Sequence, residues 1–204
     1  MTNSEYAHDN DEALDDDDDD EAIDYEPWPM VYAGFWSRLL AHLIDTLVFG
    51  PLIALQWWSM SSRSASLALI IPLGVAGPLY SVVMHARRGQ TLGKIVAGIQ
   101  VAKVSGEPVS WREAILRDSV TIAFDVISTT ATMFALLHIP EAAWSANWRE
   151  LAVKLHETEP TWGRWAGIAM QVWFWGELFV LLLNRKRRSL HDFIAGTVVI
   201  RVAR

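Results

Sequence analysis

Arg38, His42 and Asp45 stand at i, i+4 and i+7 of an otherwise apolar stretch, a spacing that sets all three on one face of a helix. Thr121, Asp125, Ser128, Thr129 and Thr132 share a face in the same way, and Gln171 and Glu177 interrupt a third apolar stretch. An isolated charge deep in a bilayer costs at least ~2.5 kcal/mol, so each of these carboxylates needs a partner, a proton or water. Asp45, Asp125 and Glu177 are therefore candidates for exchanging protons or binding monovalent cations. Polar side chains also link helices to one another, and a buried Arg and Asp also serve simply to pair, so a fold-holding role stands beside the transport role.

Four apolar stretches carry these residues, at about 35–58, 67–86, 119–139 and 164–183. A helix rising ~1.5 Å per residue needs about 20 residues to cross ~30 Å of hydrocarbon, and none of the runs alternates as a barrel strand does. They read as four transmembrane helices. Pro51, Pro72 and Pro78 interrupt the first two, and each frees a backbone carbonyl one turn earlier: a kink, or a ligand for a cation.

Composition agrees with an integral membrane protein. Hydrophobic residues make up 51% of the 204 and eleven are tryptophan, well beyond an ordinary soluble domain. The net charge of −7 is an average over two unlike parts. Residues 1–29 hold 13 of the 24 acidic residues and none of the 17 basic ones, so the remainder sets 17 bases against 11 acids. The first part, with its run Asp15 to Asp20, repels itself too strongly to bury a core and is expected to be a disordered acidic cytoplasmic tail ahead of a membrane domain at 30–204. It lacks the basic region and short apolar core of a cleaved signal peptide, so the first span is expected to direct insertion.

Basic residues set the orientation. Arg87, Arg88, Lys94, Lys103, Arg112 and Arg117 lie between spans two and three, and Arg185, Lys186, Arg187, Arg188, Arg201 and Arg204 follow span four, which places both regions and both termini in the cytoplasm. Trp57, Trp58, Trp162 and Trp165 then fall at the outer boundary and Trp36 at the inner one. In the outer loop from Pro140 to Gly163, Trp144, Trp148, Leu151 and Leu155 make one apolar face, which predicts a short interfacial helix with Glu141 near its start and Lys154 and His156 near its end. The cluster Arg185, Lys186, Arg187, Arg188 reads as a topology signal and a site for anionic lipid headgroups rather than for nucleic acid.

Three separated segments resemble the RDD family: Gly34-Phe-Trp-Ser-Arg38-Leu-Leu-Ala-His-Leu-Ile-Asp45, Gly89-Gln-Thr-Leu-Gly-Lys94, and Leu190-His-Asp192-Phe-Ile-Ala-Gly-Thr197. The resemblance runs from about Val31 to the C-terminus and implies that Arg38, Asp45 and Asp192 are the arginine and two aspartates of the family name. It implies a multi-pass protein of the bacterial cytoplasmic membrane, in a family for which transport has been suggested.

Aligning Gln90 to Val104 with Arg188 to Val202 gives identities at Leu, Ala, Gly and two Val positions. Each copy follows a pair of spans. The expected fold is thus an all-α membrane protein of two pseudo-repeated helix pairs, each followed by a cytoplasmic helical turn and a short strand, with the outer interfacial helix added. The strands rest on Ile99, Val101 and Val104 and on Thr197 to Val202, and are expected to pair. Ser110 and Glu113 have the spacing of a capping box that starts the helix running into span three. Lys94 aligns with Asp192, so Arg38, Lys94 and Asp192 form a candidate set of structural ion pairs. His42 and His191 read as hydrogen-bonded packing residues.

The chain has no cysteine and no phosphate-binding loop, HExxH pair, GxSxG elbow or dinucleotide fingerprint, so no enzyme activity, metal or cofactor is expected. Two functions compete. One is a small transporter of protons or monovalent cations; four helices rarely enclose a pathway, so it implies a homo-oligomer. The other is a non-transporting scaffold or assembly factor that recruits a partner through its cytoplasmic face and acidic tail.

Overall fold

A computed structural model describes residues 30–141, 144 and 147–202, so the acidic tail expected at 1–29 and the terminal Arg204 lie outside the described residues. Ten elements follow in order: α1 (Phe35–Val48), α2 (Gly50–Ser59), α3 (Arg63–Arg88), α4 (Leu92–Val96), β1 (Ile99–Lys103), α5 (Trp111–His138), α6 (Trp148–Thr158), α7 (Thr161–Leu183), α8 (Leu190–Ala195) and β2 (Thr197–Arg201).

Helices α3, α5 and α7 are each long and apolar enough to cross a membrane. The first expected span is not one straight helix: α1 and α2 meet at a bend of 49° and make a fourth crossing when taken as one broken span. Pro51 explains the bend. It sits in the first turn of α2, has no N–H to give to Leu47, and leaves Phe49 as the joint between two helices. Pro72 and Pro78 lie inside α3, which nevertheless continues as one helix to Arg88.

The helices outrun their apolar cores because polar caps fix their ends. Ser62 accepts from the amide of Ala65 at the start of α3, and Gly89 closes it with φ 65°. Ser110 and Glu113 form the expected capping box, so α5 starts eight residues before the apolar run that it continues into. The outer-loop helix is shorter than its sequence pattern. Asn147 caps it and it begins at Trp148, leaving Pro140, Glu141 and Trp144 ahead of it; Leu151 is buried against the bundle and Trp148 packs on Trp57 at 5.2 Å.

Helix α5 is central, with α3, α6, α7 and α8 packed on it, while α1 packs on α4. Strands β1 and β2 pair antiparallel with Val101 opposite Val199, and Tyr32 adds a single bridge to Ile200. The closely packed core lies at this end of the bundle, around Ala33, Ala41, Ile99, Val101, Val109, Ala114 and Val199. Along the spans the large apolar side chains face outward instead, among them Leu79, Val126, Val172 and Phe179. In water such a surface would aggregate; in lipid it is the solvated face.

Candidate functional site

The two strands bring α4 and α8 back against the starts of α1 and α5, and this gathers most of the charged residues of the bundle at one end. Asp192 is the centre. It caps α8, accepting from Ser189 N and Ser189 Oγ at 3.0 Å each, and is 0% exposed. Arg38 Nη1 donates to its Oδ2 at 2.8 Å; Arg117 Nη1 pairs with its Oδ1 and donates to Thr197 Oγ1 at 2.9 Å. Burial opposes the charge on Asp192, but the Arg117 and Arg38 guanidiniums outweigh it and hold the carboxyl well below its usual range.

From Arg117 the network runs outward along α8 and α7. Arg117 Nη2 donates to His191 Nε2 at 2.7 Å, which puts the proton of the neutral ring on Nδ1, where it meets Glu177 Oε1. Burial, and then the Arg117 charge, lower the His191 pKa, so the ring stays neutral against Glu177.

Among the described residues Asp45 forms no ion pair. It accepts Tyr80 Oη at 3.1 Å, Thr91 Oγ1 at 2.6 Å and Gly93 N at 2.8 Å, and so fastens α1 to the first turn of α4. Lys94, on that same turn, does not reach Asp192 as the alignment of the two copies had it. α4 packs on α1 whereas α8 packs on α5 and α7, so Lys94 Nζ bonds His85 Nε2 of α3. His85 in turn meets Ser81 Oγ at 3.2 Å and lies 3.9 Å from Asp118 Oδ2, an atom buried without a hydrogen-bond partner. Burial, then repulsion from Arg117, brings the Lys94 pKa down to about 7; Asp118 and Asp192 oppose the shift, and Arg38 adds to it.

Arg38, His42, Asp45, His85, Lys94, Arg117, Asp118, Glu177 and His191 all line one cleft of about 290 Å³. Asp125 does not join them. It makes no hydrogen bond among the described residues and lines a separate groove between α3 and α5 of about 410 Å³, walled by Ile71, Val75, Leu79 and Val126. A third cavity of about 340 Å³ lies along the same helices and is mainly apolar, walled by Phe49, Leu52, Ile53, Ile70 and Leu73 with Gln56, Ser128, Thr129 and Thr132 among them. Phe49 in its wall meets the ring of Tyr80 edge to face at 5.0 Å, and Tyr80 in turn bonds Asp45 of the cleft.

Sequence reasoning passed over Arg117, Asp118, His85 and Gly93 as site residues. Arg117 enters the sequence reading as a topology charge and as the residue eight before Asp125, as Arg38 stands seven before Asp45, but not as a partner of Asp192. Gly93 bears no chemistry of its own, yet a Cβ there would overlap the carbonyl oxygen of Ala41 and lie 2.8 Å from Asp45 Cγ.

Long apolar helices with a charged cluster buried at one end define a multi-pass membrane protein, and no described group of His, Cys, Asp and Glu is arranged to hold a metal. Residues 32–196 match the RDD family, and the chain belongs to it. It is 34% identical over 86 residues to the uncharacterized protein YckC of Bacillus subtilis (strain 168), a match that covers 42% of this chain and 56% of that protein. The chain thus spans about half the length of the curated relative it matches. No solved structure matches it.

Proposed function

We propose that the protein exchanges protons for monovalent cations across the bacterial cytoplasmic membrane, with the strand-bearing end of the bundle inside. The observation that carries this reading is a charged cleft and, along the same α1–α2, α3 and α5, a mainly apolar cavity that still presents Gln56, Ser128, Thr129 and Thr132, with Phe49 at the bend of a broken helix in the wall of the second. Broken helices at mid-membrane are the usual means of building ion sites, because they free backbone groups and supply a joint.

The proton site of this reading is Lys94. Arg38 faces it from α1, His85 from α3, Arg117 and Asp118 from α5 and Asp192 from α8. When Lys94 gives up its proton the cleft becomes one unit more negative, and a cation is drawn beside Asp118, Glu177 and Asp45. When it takes a proton back, the cation is repelled. Rocking about Gly50 and Pro51 parts Phe49 from Tyr80 and opens the cleft to the second cavity. Asp125, in a groove apart from this route, is a second candidate proton or cation site, covered where copies of the chain meet in a homo-oligomer.

A two-fold relation between the halves belongs to the same reading. In its support, α4 precedes β1 as α8 precedes β2, Gly98 and Gly196 take matching φ of 64° and 67°, and the aligned residues Val101 and Val199 face each other in the ladder. Anionic headgroups around Arg185, Lys186, Arg187 and Arg188 complete it.

The test is flux. In proteoliposomes carrying a pH dye, a sodium or potassium pulse will drive protons the other way, and Lys94→Met will slow that exchange at least about tenfold. Equal rates for wild type and variant would remove Lys94 from the mechanism. A second reading, a non-transporting scaffold without enzymatic activity, is favoured by one observation: Asp45 and Asp192 already have full sets of hydrogen bonds within the fold. On that reading no pulse moves protons, and deleting residues 1–26 releases a co-purifying partner.

A further inference from the structure

The four consecutive basic residues after α7 do different things. Arg188 is committed to the fold: its Nε donates to Thr197 O and its Nη2 to Asp192 O, both at 3.0 Å, and its guanidinium lies 4.1 Å over the Phe193 ring. Lys186 does not line the cavity that its two neighbours share. Arg185 and Arg187 line a cavity of about 430 Å³ with Asn184, Phe35, Leu181 and Leu182, between the start of α1 and the end of α7. The Arg187 guanidinium lies against α1, since a Cβ on Gly34 would stand 2.7 Å from its Nη1. Neither guanidinium has an acidic partner among the described residues.

We propose that this cavity seats the phosphate of an anionic membrane lipid, which sharpens the general headgroup role given above to Arg185–Arg188 and rests on it. Two unpaired guanidiniums supply forked donors for a phosphodiester. Phe35, Leu181 and Leu182 supply an apolar wall at the end of a span, where acyl chains begin. Free phosphate would satisfy the first feature and leave the second uncovered. The seat is joined to the buried charges, because the Arg187 carbonyl accepts Arg38 Nη2 at 2.5 Å and Arg38 in turn holds Asp192. A bound lipid therefore steadies Arg38 through the backbone of Arg187.

The full chain in dodecyl maltoside, titrated calorimetrically with dioctanoyl phosphatidylglycerol, will bind saturably, with dioctanoyl phosphatidylcholine much weaker. Arg185→Gln combined with Arg187→Gly will weaken binding about tenfold or more. Glycine at 187 suits the φ of 49° there and keeps the turn folded, and Arg185→Gln alone will show a smaller loss in the same direction. Lys186→Gln will stay within about twofold, since it leaves the cavity walls intact. A loss with Lys186→Gln equal to that of the pair would overturn the cavity while leaving diffuse attraction to headgroups in place. Absence of any preference for phosphatidylglycerol would overturn both, and full competition by inorganic phosphate would overturn the lipid as occupant.

Discussion

Asp192→Ala will destabilise the protein by about 3–5 kcal/mol, the cost of leaving buried charge without its counter-charge. Two guanidiniums depend on this carboxylate, Arg38 on one oxygen and Arg117 on the other, and the alanine also removes the cap from α8. The loss will appear as a lowered unfolding midpoint of the purified protein in detergent. It should be largest near neutral pH. The Asp192 pKa lies below its unfolded value, so its contribution is full above the ordinary carboxylate range and declines as pH falls through the folded value. Replacing all three members together, Arg38→Met, Arg117→Met and Asp192→Leu, will recover much of the stability, because an apolar cluster of similar volume has no charge to desolvate. That recovery separates holding the fold from moving ions: a restored fold without flux assigns the network to transport.

Gly93→Ala will cost about 3 kcal/mol or more, the upper end of what overpacking does. The added methyl would overlap the Ala41 carbonyl oxygen, and Ala41 is backbone of a packed helix rather than a side chain free to turn away. Relief requires α4 to leave α1, which takes with it the bonds from Gly93 N and Thr91 Oγ1 to Asp45. Gly77→Ala in α3 is the matched control. A Cβ there has no neighbour within 4 Å, so the change will be neutral, or stabilising by up to about 1 kcal/mol through helix propensity. Parallel thermal unfolding of the two variants checks both.

Local signals in the chain state most of the fold. Apolar runs of membrane length, the capping box at Ser110 and Glu113, and the prolines in α2 and α3 act within a few residues, and the elements follow them. The bend at Phe49 was visible only as Pro51, because whether a proline kinks a helix or divides it depends on what packs against the joint. The site was less legible. Arg38 and Asp192 meet across 154 positions, and Asp45 finds its donors on a turn 46 to 48 positions away. Nothing periodic joins such residues; their meeting is set by β1 and β2 folding α4 and α8 onto the helix starts. Lys94 shows why alignment alone misleads. Positions that align in the two segments face different neighbours, because α4 packs on α1 and α8 on α5 and α7. Asp125 shares a helical face with Thr129 and Thr132, but a wide face serves two grooves, and Asp125 opens on the other one.

Exchange of protons for cations at one lysine is tested most directly by following the Lys94 ammonium itself. With lysine labelled in the full chain in lipid nanodiscs and Lys94→Arg used for assignment, the signal will titrate with a midpoint of about 7, against 10.5 for an ordinary lysine. The sign follows from burial and from the Arg117 charge, both of which disfavour the ammonium, and a competing cation in the cleft adds to them. Sodium or potassium chloride will therefore move the midpoint lower, while choline chloride at equal ionic strength will not. A midpoint near 10.5, or one that small cations leave where choline does, would contradict exchange at this site.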